Sequence, residues 1–451
     1  MSTACAQDAG LDCRMQDECS TWSNGLAQRR LSVKRNRLMW FGVLAVAVAM
    51  AIVAGPRFFE FTRQAFADTA VRSTAHPASP RPDQVCLTWS GDPQTTQAIQ
   101  WRTSVNVKKG TVQFREKSAP ENEYTEADAT VGEIKDPGTA NDPVNHRFSA
   151  VLGGLKPGTT YAYRVGNKKN RSEWFEFTTA PQTAAPFSFV YMGDPQVGLD
   201  KWGGLLHSAL DRHPGAAFYV VAGDNVNRGN NRDEWDAFFH AASGVFDRRP
   251  YVPALGNHDC PRGEGPRLYL DLLTLPGNGP ANIGPERAYS FDYGNALFVV
   301  LDSNSSVAAQ SPWLEERLKS SKAVWKFAVF HHPAYSSAPR RDNIEVREQW
   351  GDLFDRYHVD MALQGHDHGY LRTKPMRAGK EVSSPAEGTV YVVSVSGTKY
   401  YEVLEPDYAA KTMARVSTYQ TINIETGREN RLTYRAYDME GNVRDEMVII
   451  K

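Results

Sequence analysis

Five short apolar runs in this chain end in residue types that bind metal ions. FSFVYM leads into Gly193-Asp194-Pro195-Gln196, FYVVA into Gly223-Asp224-Asn225, YVPAL into Gly256-Asn257-His258-Asp259, WKFAVF into His331-His332-Pro333, and DMALQ into Gly365-His366-Asp367-His368. Carboxylates, imidazoles and amide oxygens in such a mixture suit borderline metals. Two cations about 4 Å apart can hold an anion and lower the pKa of a water between them, which supplies a nucleophile near neutral pH. A single ending of this kind would be ordinary; five in succession point to one shared site.

The elements around them say how they meet. After TTAPQTAAP the texture changes to apolar runs alternating with helix-like segments, the pattern of an α/β domain. In open α/β architectures the carboxyl ends of strands converge on the ligand crevice, so these strand-to-loop positions can be brought together. The same tetrapeptide, GDPQ, also occurs at Gly91-Asp92-Pro93-Gln94, but between two period-2 strands, VCLTW and AIQWR, with no histidine nearby. There it reads as a turn, with Asp capping backbone donors and Pro fixing φ. TVQFRE, RFSAVL, TYAYRV and WFEFTT continue the alternating strand signature, so this region is expected to be a β-sandwich. LKPGTTYAYRV resembles the tyrosine corner of fibronectin type III domains through Leu155, Pro157 and Tyr161.

The five motifs, in order from Asp194 to His368, resemble the calcineurin-like metallophosphoesterases, and the preceding β-domain makes the whole most similar to a purple acid phosphatase. The resemblance implies an αββα sandwich domain behind an all-β fibronectin III-like one, and a binuclear centre that hydrolyses phosphate esters. It implies that Asp224 bridges two metals, with Asp194 and His368 on the first, and Asn257, His331 and His366 on the second. It implies that His258 lies beside the bound phosphate as cation or acid, with Asp259 orienting its ring. The metals are expected to be two divalent or trivalent ions, manganese, zinc or iron. One departure stands out: where purple acid phosphatases carry the tyrosine of GDxxY, this chain has Asn227. Gln196, at the position of the histidine of D-x-H, is expected to offer its amide oxygen to the first metal. Tyr370 and Arg372, just after GHDH, are expected at the phosphate pocket, His332 as a pocket-lining residue, and His207, His213, His240 and His358 in solvent.

Composition bounds the rest. With 41% hydrophobic residues in 451, the chain can bury two or three domain cores. Its 51 basic and 52 acidic residues nearly cancel, which leaves no electrostatic footprint for nucleic acid. The five cysteines do not form a disulfide framework, and Cys5, Cys13 and Cys19 match no zinc spacing. Residues 38–55 read LMWFGVLAVAVAMAIVAG without a charge and follow Arg29, Arg30, Lys34, Arg35 and Arg37, a membrane-insertion signal with the basic side cytoplasmic. The expected organisation is a cytoplasmic tail over 1–37, a transmembrane anchor over 38–55 and a linker over 56–82. A β-domain over 83–180 and the phosphoesterase domain over 184–451 follow, both on the far side of the membrane, or secreted if the segment is cleaved near Ala65-Phe66-Ala67. Two alternatives remain open at this level: a phosphodiesterase acting on nucleotides or lipid head groups, and an inactive surface binding or adhesion protein.

Overall fold

The computed structural model describes residues 71–451. The expected tail, the membrane helix over 38–55 and most of the linker lie outside the described residues. Among the described residues no helix is long and apolar enough to cross a membrane.

Alternation of buried and exposed side chains closes the first domain into two four-stranded antiparallel sheets. One runs Asp83–Thr88, Gln97–Ser104, Val144–Leu152, Thr130–Lys135; the other runs Thr125–Asp128, Thr111–Glu116, Thr160–Gly166, Phe175–Thr178. Trp101 and Phe148 face each other across two strands and stack at 5.2 Å, fully buried, among Leu87, Ile99, Tyr163 and Phe177. The Tyr161 hydroxyl accepts the main-chain N–H of Lys156 at 2.9 Å and so pins the corner ahead of its strand. Asp92 is exposed; its carboxylate accepts the amide of Gln94 at 2.9 Å and its carbonyl those of Thr95 and Thr96. The first GDPQ is thus a turn.

The second domain stacks two sheets between two pairs of helices. In the first sheet Tyr251–Pro253, Ala216–Val221 and Phe187–Met192 run parallel and are continued by antiparallel Tyr419–Glu425, Arg431–Tyr437 and Val443–Ile450. In the second, Ala296–Val300, Trp325–Val329, Met361–Gln364 and Val390–Val393 run parallel, flanked by antiparallel strands. Phe189 of one sheet meets Phe298 and Phe327 of the other edge-on at 5.1 and 5.2 Å, a geometry aromatic quadrupoles favour. Leu199–Arg212 and Arg232–Ala242 cover the first sheet through Trp202, Leu205, Trp235 and Phe238. Val307–Ser320 and Ile344–Tyr357 cover the second through Leu314, Leu318, Trp350 and Phe354. The order of layers is helix, sheet, sheet, helix.

A buried charge network joins the two domains. Asp236 on Arg232–Ala242 pairs with Arg102 of the sandwich at 2.8 Å and with Arg232 at 3.3 Å, and accepts from Gln84 Nε2 at 2.7 Å. Arg232 reaches on to Asp142, and Tyr163 donates its hydroxyl proton to the carbonyl of Asp247 at 2.7 Å. Burial pushes the Asp236 carboxyl above its usual range while Arg102 pulls it back, so the ion survives only because it is paired. Asp236→Ala leaves two buried guanidinium groups short of a partner, and the expected cost is about 3–5 kcal/mol, read as a lower midpoint of urea unfolding.

Candidate binuclear metal centre

The loops after Met192, Val221, Pro253, Val329 and Gln364 meet at one place. Asp194, Asp224 and His368 bring one ligand atom each within 4.8 Å of one another, and so do Asp224, His331 and His366. Asp224 belongs to both groups. Asp194, Asp224, His366 and His368 all have positive φ, 35°, 50°, 76° and 45°. Such backbone costs a side-chain-bearing residue about 1–3 kcal/mol and persists where function demands the direction it gives the side chain. The approach is close enough that a Cβ on Gly365 would sit 2.1 Å from Asp194 Oδ1, and one on Gly256 would sit 2.2 Å from Asp224 Oδ1.

Main-chain carbonyls aim the imidazoles. His331 Nδ1 faces the carbonyl of Ala222 at 2.9 Å and His368 Nδ1 that of Lys399 at 3.0 Å, so in each ring the proton belongs on Nδ1 and the Nε2 lone pair points inward. At His331 Nε2 this lone pair meets two further acceptors, Asp224 Oδ2 and Asn257 Oδ1, each at 3.2 Å, with His366 Nδ1 also at 3.2 Å. A set of acceptors facing each other requires positive charge among them. Burial opposes protonation of His331, yet the Asp224 and Asp194 carboxylates push it up to about 10, so that a proton answers the same demand. Burial and the charge of His331 hold His366 far below the usual histidine range, and burial with Lys399 lowers His368 to about 4, which keeps both rings neutral as ligands must be. Burial pushes Asp194 well above the carboxylate range, whereas Asp224, facing His331, lies below it despite equal burial. The donor set fits two cations that share Asp224.

Three expectations need correction. Gln196 presents Nε2, not its oxygen, to Asp224 Oδ2 and His368 Nε2, both at 2.9 Å, because the carboxylate attracts the amide donor. Its Oε1 is buried without a partner, and a half-turn of the amide would bring it to the site. Asp259 does not orient His258. Its carboxylate accepts the amide N–H groups of Asn225 at 3.0 Å and Gly256 at 2.9 Å and Asn225 Nδ2 at 2.8 Å, holding together the loops that carry Asp224 and Asn257. Burial and the Asp224 charge push it up to about 7. The ring of His258 instead meets the carbonyl of Asn227 through Nδ1 at 2.6 Å, and its main-chain N–H donates to Asp224 Oδ1 at 2.8 Å. Tyr370 and Arg372 are not at the pocket: the Tyr370 hydroxyl and the Arg372 fork both bind Asp445 on the last strand, at 2.7 to 2.9 Å.

The sequence offers no motif for the sixth contributor, the loop after Val390–Val393. Its Lys399 carbonyl holds His368, the Tyr401 ring lies 4.7 Å from the His368 ring, and Gly397 donates its N–H to the carbonyl of Asp194 at 2.9 Å. Its only signal is that an apolar run in the same sheet ends in Gly. His332, half-buried, contacts Ser303 Oγ at 2.8 Å, and its ring lies tilted 4.4 Å from that of His366.

Comparison with known proteins agrees with this geometry. Residues 82–179 match the purple acid phosphatase N-terminal domain and residues 187–370 the calcineurin-like phosphoesterase domain. An uncharacterized protein of Mycobacterium tuberculosis is 26% identical over 54% of this chain and 53% of its own, so the chain spans about half the length of that relative. Fe(3+)-Zn(2+) purple acid phosphatase 12 of Arabidopsis thaliana is 26% identical over 66% of each chain, and acid phosphatase type 7 of Mus musculus 24% over 82% of this chain and 91% of its own. Among solved structures, purple acid phosphatase PPD1 of yellow lupin, Lupinus luteus, shares the fold with a TM-score of 0.70 at 18% identity, covering 83% of this chain and 75% of its own. The chain thus carries a calcineurin-like phosphoesterase domain and, ahead of it, the N-terminal domain of the purple acid phosphatases.

Proposed function

We propose that this protein hydrolyses phosphate monoesters with two metal ions held by Asp194, Asp224, Asn257, His331, His366 and His368, with Gln196 joining by rotation of its amide. The observation that carries the reading is the carboxylate of Asp224 common to two donor groups. Bound there, two cations would neutralise the ester and acidify a water. In hydrolysis a water oxygen forms the new bond to phosphorus, the ester P–O bond breaks, and the departing oxygen takes a proton. We assign that proton to Nε2 of a cationic His258, the free edge of a ring whose Nδ1 donates to the Asn227 carbonyl. Asp259 keeps the loops in register rather than moving protons. The catalytic domain works outside the cytoplasm, anchored by or cleaved from residues 38–55; the basic cluster ahead of that uncharged run supports this side. Metal analysis of purified protein, with turnover of p-nitrophenyl phosphate set against bis-p-nitrophenyl phosphate, tests the proposal. Preference for the diester would replace the monoesterase reading, and no turnover with manganese, zinc or iron would end it.

Asn227 sets a second expectation. Visible charge transfer needs an easily oxidised donor such as tyrosinate on ferric iron, and an amide there supplies none. Iron-loaded protein should be colourless, and divalent ions should compete well for the first position, where the ligand set is less negative. An intense visible band that survives Asn227→Ala but vanishes on Tyr401→Phe would show that the ring beside His368 takes the missing phenolate's place.

A further inference from the structure

Beyond the two donor groups, the rim of the site carries two cations gathered on one aromatic ring. The Arg341 guanidinium is anchored at the centre of Gly365-His366-Asp367-His368: Nε donates to Asp367 Oδ1 at 2.9 Å and Nη2 to the carbonyl of His366 at 3.0 Å. Its central carbon lies 4.9 Å from the centre of the Tyr401 ring, and the Lys399 ammonium lies 5.3 Å from the same point. That ring lies against His368, whose Nε2 is 3.3 Å from Asp194. Arg341, Lys399 and Tyr401 are all half-buried, so the group is reachable from solvent yet held. Among the described residues the Lys399 ammonium has no carboxylate or carbonyl partner, only the ring of Tyr401. A solvated lysine gains little from such a position. Holding one beside an apolar face raises the effect of its charge on an approaching anion, because the ring displaces water.

The site itself answers the charge of the phosphoryl group undergoing transfer; cations outside it act on whatever the substrate carries beyond that group. We propose that Arg341, Lys399 and Tyr401 form a rim subsite for a second anionic group, so that the preferred substrates are phosphate esters whose leaving portion bears a carboxylate or a further phosphate. This rests on the hydrolase reading above. Tyr401 supplies an apolar floor for the leaving portion, Lys399 the unpaired charge, and Arg341 a fixed charge braced by Asp367.

The test compares kcat/KM for phenyl phosphate, 4-carboxyphenyl phosphate and inorganic pyrophosphate in metal-loaded wild type, Lys399→Gln and Lys399→Arg. In Lys399→Gln the ratio of either probe with a second anionic group to phenyl phosphate is expected to fall about tenfold, the effect of losing one partly desolvated charge pair, and Lys399→Arg to restore it. A fall for one probe alone identifies which second anion the rim takes. Ratios within about twofold of wild type for both probes, with phenyl phosphate still hydrolysed, would overturn the subsite while leaving the hydrolase standing. Wild type inactive on all three compounds would instead strike the hydrolase reading itself.

Discussion

Asp194→Ala should abolish phosphate-ester turnover and strip bound metal from the purified protein, while Asp92→Ala, in the same four-letter word a hundred residues earlier, should leave both within about twofold of wild type. Asp194 is fully buried, accepts the N–H of His366 at 2.8 Å and faces His368 Nε2 at 3.3 Å, so its loss reduces the group shared with Asp224 to two donors. Asp92 caps one exposed turn. The metal-free proteins separate ligand loss from misfolding. A carboxyl whose folded pKa is raised, as burial raises that of Asp194, binds its proton more tightly folded than unfolded, so stability declines as pH rises above the ordinary carboxyl value of about 4. Asp259, pushed up to about 7, acts in the same sense between about 4 and 7. Asp194→Ala removes one source of this slope, so its metal-free form should lose less stability with rising pH than metal-free wild type. Added metal should raise its Tm far less. Equal loss of activity from both folded variants would mean that the two tetrapeptides were wrongly told apart.

The clustering of candidate donors was legible because metal chemistry restricts them to a few residue types and parallel strands deliver them at loop starts; Asp194 and Asp224 follow runs ending at Met192 and Val221. Adjacency in sequence was a poorer guide to direction. His258 and Asp259 are neighbours, yet one side chain turns to Asn227 and the other back to Asn225 and Gly256, a divergence set by loop conformation rather than residue type. Tyr370 and Arg372 follow a site motif, but they lie on a strand and bind Asp445, a partner more than seventy residues away that no local pattern announces. Lys399 holds His368 with a main-chain carbonyl, which any residue could supply, so no motif marks it. Positive φ at four of the candidate ligand residues was equally hidden, since aspartate and histidine, though commoner there than most side chains, still adopt it only at a few per cent of positions.

Replacing His258 by alanine should lower turnover by roughly 10²- to 10⁴-fold, the range for loss of a general acid, without loss of metal. The reason lies in which atoms tie this residue to the centre. Its N–H donates to Asp224 Oδ1 at 2.8 Å and its carbonyl accepts the N–H of Gly229 at 2.8 Å; both are main-chain bonds that alanine keeps. The ring belongs to neither donor group, so Asp224 should remain oriented and both cations held. What disappears is the ring that would give up a proton from Nε2 in its cationic form. A nitrophenolate leaves readily without one, whereas an alkyl alkoxide does not, so the loss should be near the top of the range for an alkyl phosphate and near the bottom for p-nitrophenyl phosphate. Equal losses for the two esters would make His258 a binder of phosphate rather than a proton donor, and the departure of one metal equivalent would make it a ligand; either result would overturn the assignment.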